Sequence, residues 1–150
     1  MKPFADTLSA QDARDLGAYF ATQKAGAGVA DDTVIASGPY KDKKFFEVGQ
    51  QLFRSGDQAR GIPACMACHG PTGRGNPGPA YPSIAGQHAN YTKDLLKRYR
   101  GGASYGKGDN ANTVMSEVAA SLSDQDIEAL ASYIEGLHRA GPGEAKIAGK

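Results

Sequence analysis

The sequence has no tryptophan and only two cysteines, and its 17 Lys+Arg face 16 Asp+Glu, a formal net charge of +1. Two cysteines are too few for a disulfide scaffold. A charge balance so near zero leaves no electrostatic footprint for nucleic acid or an anionic membrane. Long apolar runs are missing too: no window approaches the roughly 20 apolar residues that cross a bilayer. The opening MKPFADTLSA carries no apolar stretch of the kind that marks a secretory signal, so an exported form is expected to appear here without one.

What is present is ordinary globular composition, with 40% of the 150 residues hydrophobic and 22% charged. The 20 glycines and 8 prolines are densest between Gly61 and Gly86, and that stretch is expected to run as turns.

An internal repeat is visible when Met1 is laid on Met115. MKPFADTLSAQDARDLGAYFATQ then pairs without gaps with MSEVAASLSDQDIEALASYIEGL, with identities at Ala5/Ala119, Leu8/Leu122, Ser9/Ser123, Gln11/Gln125, Asp12/Asp126, Leu16/Leu130 and Tyr19/Tyr133. Each copy reads as a helix, with Ser9 or Ser123 as N-cap and an aspartate three residues on completing a capping box. In the second copy Ile127, Leu130, Ala131, Ile134 and Leu137 recur at helical spacing, which predicts one buried stripe from about Ser123 to His138. A third helix is expected from about Asp42 to Arg54, with Gly49 inside an aromatic-rich stretch admitting another helix closely. A fourth, capped by Asn90, is expected to reach about Arg100 with Tyr91, Leu95, Leu96 and Tyr99 inward. The fold class is therefore all-α. The organisation read from the chain is a helical fragment over 1–23, a small polar linker over 24–39, a self-contained domain over 40–138 and a loose tail over 139–150.

Chemistry concentrates at Cys65-Met66-Ala67-Cys68-His69. Two thiols at i and i+3 followed at once by an imidazole fit covalent haem attachment: the sulfurs add to the porphyrin vinyl groups and the histidine reaches the iron from one face. The competing readings are a thioredoxin-like redox pair, a zinc site and a plain disulfide. The first lacks a βαβ context, and the second has only His88 and His138 left as histidine ligands. A ligand on the other haem face must come from far along the chain. Met66 is trapped in the attachment turn and Met1 lies outside the domain, leaving Met115, with His88 as a rival and a flexible core filler as its plain alternative.

From about Phe45 to His138 the chain resembles a class I cytochrome c, on FFEVGQQLF before CMACHG, AYPSIAGQ after it, and VMSEVAASLSDQDIEALASYIEGL at the end. Within that class CHGPTGRGNPGPAYPSIAGQHANYTKDLLKRYRGG is similar to the dihaem, two-domain cytochromes c4. The resemblance implies the class I fold, helices around one covalently bound haem c, preceded here by a helical appendage that looks like the end of an earlier domain with Met1 as that domain's axial methionine. It also implies Cys65 and Cys68 as attachment points, His69 and Met115 as iron ligands, and Pro82 as the residue whose carbonyl accepts from the His69 imidazole. Gly49 and Tyr133 would mark the crossing of the first and last helices. Arg74, Gln87, Tyr91 and Arg98 are candidates to meet haem propionates, with solvated surface as the alternative for each.

With both axial positions filled, outer-sphere electron transfer is the natural function. The resemblance makes this a periplasmic carrier, not an enzyme, moving single electrons from a quinol-cytochrome c reductase to a terminal oxidase. Two alternatives stay open: a haem peroxidase or gas sensor with an open distal site, and the electron-entry module of a larger redox complex. The apolar stripe of the N-terminal fragment is expected to pack on its own domain, on a partner chain or in a dimer. The basic run Lys93, Lys97, Arg98, Arg100 and Lys107 beside the acidic Glu117, Asp124, Asp126, Glu128 and Glu135 suggests either a docking dipole or ordinary solvated faces.

Overall fold

The computed structural model describes residues 2–23, 26–106 and 108–138. Met1, Lys107 and the expected tail over 139–150 lie outside the described residues. Its α-helices are α1 (Lys2–Ala5), α2 (Ala10–Ala21), α3 (Phe45–Ser55), α4 (Met66–His69), α5 (Ala89–Arg100), α6 (Val114–Ala119) and α7 (Asp124–Gly136), with 3₁₀ turns at Gln58–Arg60 and Gly108–Asn110. Strand pairing among the described residues is limited to isolated antiparallel bridges, as the helical periodicity predicts.

The two repeat copies start alike. Ser9 and Ser123 are both N-caps in extended conformation, and each accepts from the backbone N–H of Asp12 or Asp126 in a complete capping box. The other two predicted boundaries move. The helix expected from Asp42 starts at Phe45, because Asp42 has φ of +69° and residues 42 and 43 are bonded to Ile35 instead: Asp42 N–H donates to Ile35 O at 2.9 Å, and Ile35 N–H to Lys43 O at 2.8 Å. Glu47 then accepts from the Lys44 N–H and closes the first turn. The expected Asn90 cap is also displaced, since His88 occupies the cap position and α5 begins at Ala89. That shift turns Tyr91 outward, 56% exposed, while Thr92, Leu96 and Tyr99 are buried.

The core is the crossing of α3 with α7. Val48, Leu52 and Phe53 from α3 meet Ile127, Ala129, Leu130 and Ile134 from α7. Gly49 sits at the closest approach, where a Cβ would lie 2.0 Å from the Ala129 carbonyl oxygen and 2.7 Å from the Tyr133 Cβ. Phe53 and Tyr133 pack beside it with ring centroids 5.3 Å apart and planes tilted by 52°. α5 packs on α7 and on α6, so the last helix and the helix that carries Met115 share one neighbour.

Residues 28–40, within and just after the stretch read as a linker, run along α7 from its end to its start. Gly28 N–H donates to Glu135 O, Asp31 N–H to Ser132 Oγ, Gln125 Nε2 to Ser37 O, and the Tyr40 hydroxyl to Asp126 Oδ1. Ile35, 2% exposed, plugs this strap into the core. By contrast, every described residue over 2–23 is exposed, Leu8 before α2 and Leu16, Tyr19 and Phe20 within it included.

Candidate functional site

The attachment turn is short and fixed at both ends. Before it, Asp57 and Ile62 bond reciprocally through their backbones, 2.8 and 2.9 Å, closing a loop around Gln58–Arg60. Arg60 is the rivet of that loop. Its guanidinium donates to Asp57 Oδ2 at 2.6 Å, to both carboxylate oxygens of Asp126 at 2.7 and 3.1 Å, and to the Tyr40 hydroxyl at 2.6 Å. Burial alone would raise the Asp126 carboxyl. The Arg60 guanidinium, the Ser123 hydroxyl and backbone N–H, and the Tyr40 hydroxyl outweigh it and hold the carboxyl down at about 2. Tyr40 moves the other way, pushed up to about 12 by burial and by its bond to Asp126.

After that loop, Cys65 begins the single turn of α4, with His69 N–H donating to Cys65 O at 3.0 Å. Both cysteines are free thiols, so the disulfide reading does not describe this structure. Burial pushes the Cys65 thiol up to about 11. Among the described residues no three His, Cys, Asp or Glu side chains converge as a metal chelate. Cys65, Cys68 and His69 therefore do not form a zinc cluster; they follow one another on a turn with the imidazole directed elsewhere.

His69 is 7% exposed, and its Nδ1 lies 2.8 Å from the Pro82 carbonyl oxygen. A carbonyl only accepts, so Nδ1 is the donor here, which leaves Nε2 as the ring nitrogen that faces away from Pro82 and could ligate an iron. The chain crossing that brings Pro82 here depends on Gly75. That residue has φ of +76°, and a Cβ on it would sit 2.3 Å from Tyr81 O and 2.6 Å from the Pro82 carbonyl carbon. Gly75 N–H also donates to His69 O at 2.8 Å, while Asn76 and Tyr81 bond reciprocally, so the loop after the histidine folds back over it.

Met115 is half-buried at the start of α6 and packs against the core, as do Cys65, Met66, Ile84, Ala85, Leu95 and Ala103. His88 is different: it lies on the surface with Nδ1 3.4 Å from a Glu135 carboxylate oxygen. His138 is exposed, with its Nδ1 2.8 Å from Gly136 O. Arg74, Tyr91 and Arg98 are exposed and Gln87 is half-buried.

The donor set fits a covalently bound haem c. It offers two free thiols at the attachment spacing, a buried imidazole whose Nδ1 is engaged by a carbonyl so that Nε2 is the nitrogen left for a metal, and an apolar surround that includes a thioether.

The charge segregation seen in the sequence is partly cancelled in space. Lys93 pairs with Glu128 at 3.0 Å and Arg100 with Asp124 at 2.7 Å, while Lys97 and Arg98 remain exposed. Interleaved opposite charges have a weak far field beyond a Debye length of about 10 Å at 0.1 M salt. Stopped-flow reduction by a partner protein should accordingly change less than about threefold between roughly 0.01 and 0.1 M salt. A tenfold or larger fall would reinstate the docking dipole.

Sequence reasoning missed the Tyr40–Asp57–Arg60–Asp126 network and the need for glycine at Gly75. The spacing of Asp57 and Arg60 was a usable local signal. Their convergence with Tyr40 and Asp126 was not, because it joins positions distant along the chain.

Comparison with known proteins agrees with this geometry. The cytochrome c family model matches residues 46–138. Cytochrome c4 of Azotobacter vinelandii is 44% identical over 133 residues, which are 89% of this chain and 57% of that protein. The chain thus spans little more than half the length of that relative. The crystal structure of reduced recombinant cytochrome c4 from Pseudomonas stutzeri superposes with a TM-score of 0.73 at 42% identity, covering 90% of this chain and 64% of that one. A thiosulfate dehydrogenase electron acceptor of Stutzerimonas stutzeri is 38% identical over 86 residues, 57% of this chain and 38% of that protein. The family match across most of the described fold, with the attachment turn and the His69–Pro82 bond inside it, places the chain in the cytochrome c family, as a class I c-type member similar to the cytochromes c4.

Proposed function

We propose that this chain carries single electrons in the periplasm, from a quinol-cytochrome c reductase to a terminal oxidase, through one haem c that Cys65 and Cys68 would hold covalently and whose iron His69 and Met115 would ligate. The observation that carries the reading is the His69 Nδ1 to Pro82 O bond of 2.8 Å, which leaves Nε2 free on a buried imidazole directly after the two thiols. When bound, the haem supplies a one-electron ferric/ferrous couple. The protein's part is to hold it still. Cys65 and Cys68 tether the group so that it cannot dissociate, and Pro82 fixes the imidazole ring and its tautomer. Met115 would offer the iron a neutral thioether, a ligand that favours the reduced state and would leave no position open to substrate. The α3–α7 crossing and the Arg60 network keep these groups fixed as charge changes, which favours transfer without rearrangement. The unit that does this is residues 40–138, with the preceding strap as its support.

The test is the optical spectrum of the purified protein, oxidised and reduced, with its intact mass. The mass should exceed the polypeptide by one haem, the oxidised form should show the weak far-red thioether-to-iron band, and the reduced form should not bind CO. Met115→Ala should lose the band and bind CO rapidly. A wild-type protein that lacks the band and binds CO would instead make the open-site peroxidase or gas-sensor reading the better one.

A second reading is favoured by the similarity to a protein named as the electron acceptor of thiosulfate dehydrogenase: the same carrier chemistry serving a dehydrogenase, as a tethered or docked entry module. Copurification with a dehydrogenase, and faster reduction by it than by a quinol-oxidising complex, would select this reading.

A further inference from the structure

We infer that Ser116 is a positioning residue for the Met115 thioether, a role that rests on Met115 being the axial ligand proposed above. Met115 sits at the second residue of α6, a helix of only six residues, Val114–Ala119, which is too short to hold its own axis by intrahelical bonds. Something outside the helix must set where the methionine lies. The neighbours on either side of Met115 do so. The Val114 N–H donates to Asn112 Oδ1 at 3.0 Å, and the backbone of Asn112 is itself paired both ways with Tyr105, at 2.9 and 2.7 Å. The Ser116 hydroxyl donates to the Ala103 carbonyl oxygen.

Ala103 is a firm anchor. α5 ends in a Schellman-type cap: the Gly102 N–H donates to Tyr99 O at 2.8 Å and the Ala103 N–H to Arg98 O at 3.1 Å, with Gly102 at φ of +89°. Ala103 is also half-buried against the core. A continuous run of bonds therefore leads from the last turn of α5 through Ala103 and Ser116 to the residue next to Met115. Ala119 at the far end of α6 is buried in the core, but near Met115 the described residues of the loop 104–113 are mostly exposed, so the Ser116 bond is the side-chain tie from the end of α5 to the methionine's own turn of α6.

Removing the hydroxyl should let α6 shift away from α5 and weaken the thioether's hold, with little change in the fold. The experiment uses the full-length haem-loaded protein in its oxidised form and titrates it with imidazole, a ligand that must displace the thioether. Ser116→Ala should bind imidazole about tenfold more tightly than wild type, the effect expected for loss of one buried hydrogen bond, and should lose the far-red band at a lower temperature. Ser116→Thr, which keeps the hydroxyl, should restore wild-type behaviour. Asn112→Ala should act in the same direction as Ser116→Ala.

Ser132→Ala is the control for a merely structural loss. It removes a bond of the same kind, from the Asp31 N–H to Ser132 Oγ at 2.7 Å, on the strap side of α7, and should leave imidazole affinity unchanged. A wild-type protein without the far-red band overturns Met115 ligation and this inference together. A wild-type protein with the band, but with equal imidazole affinity in wild type and Ser116→Ala, overturns the inference alone.

Discussion

Replacing Gly49 by alanine should destabilise the protein by at least about 3 kcal/mol, near the upper range for overpacking a core. The added Cβ would lie 2.0 Å from the Ala129 carbonyl oxygen and 2.7 Å from the Tyr133 Cβ, and a backbone atom cannot rotate out of the way. The only relief is to part α3 from α7, which would loosen Val48, Phe53, Ile127 and Leu130 together. With total stabilities of about 5–15 kcal/mol, that is a large share of the whole. The matched control is Gly17→Ala in α2, where nothing lies within 4 Å of the added Cβ. Helix propensity there should make the change neutral or favourable by up to about 1 kcal/mol. Denaturant unfolding of the two variants measures the contrast; a Gly49→Ala protein within about 1 kcal/mol of wild type would show that the helices do not cross as tightly as described.

The second large effect is expected at Asp126. Its carboxyl is wholly buried and bonded to Arg60, Tyr40 and Ser123, which holds it at about 2 against an ordinary value of 3.8. The folded state thus binds the proton less readily than the unfolded chain. The stabilisation is fully present above pH 3.8 and is lost as the pH falls toward 2, amounting to about 2 kcal/mol for this one group. Urea unfolding at stepped pH should show that loss in wild type. Asp126→Asn should lack the component and be less stable at pH 7 by about 2 kcal/mol, because it removes the buried one of the two carboxylates that face the Arg60 guanidinium and leaves only Asp57. An unchanged acid slope in Asp126→Asn would mean that other carboxylates carry the acid response.

The chemical part of the site was legible from adjacency. Two thiols and an imidazole within one turn need no tertiary information to be recognised, whereas the Pro82 carbonyl beside the imidazole, 13 residues on, was expected only from the family resemblance. The core stripe of α7 was legible for a similar reason, since a 3.6-residue period is written in the chain. Helix starts at Phe45 and Ala89 were less so. The Asp42 turn is set by pairing with Ile35 across a loop, and the cap at His88 uses no side-chain hydrogen bond, so neither leaves a local signature. The charge runs left two readings open, a docking dipole or solvated faces, because the chain does not show that α5 and α7 lie side by side and pair Lys93 with Glu128 and Arg100 with Asp124.

The repeat shows where sequence stops and tertiary structure begins. Ser-x-x-Asp determined the same N-cap twice, with φ and ψ of −71° and 164° at Ser9 and −76° and 169° at Ser123, because a capping box closes within four residues. What each aspartate then does was decided elsewhere. Asp12 stays exposed, bonded only to its own cap, whereas Asp126 takes the Arg60 guanidinium and the Tyr40 hydroxyl, groups supplied by segments distant in the chain. Leu16 and Leu130 diverge likewise, at 41% and 1% exposed, although they occupy the same place in the repeat. Local bonding fixes how a helix begins; burial depends on which other segments arrive to cover it, and no single stretch of sequence contains that information.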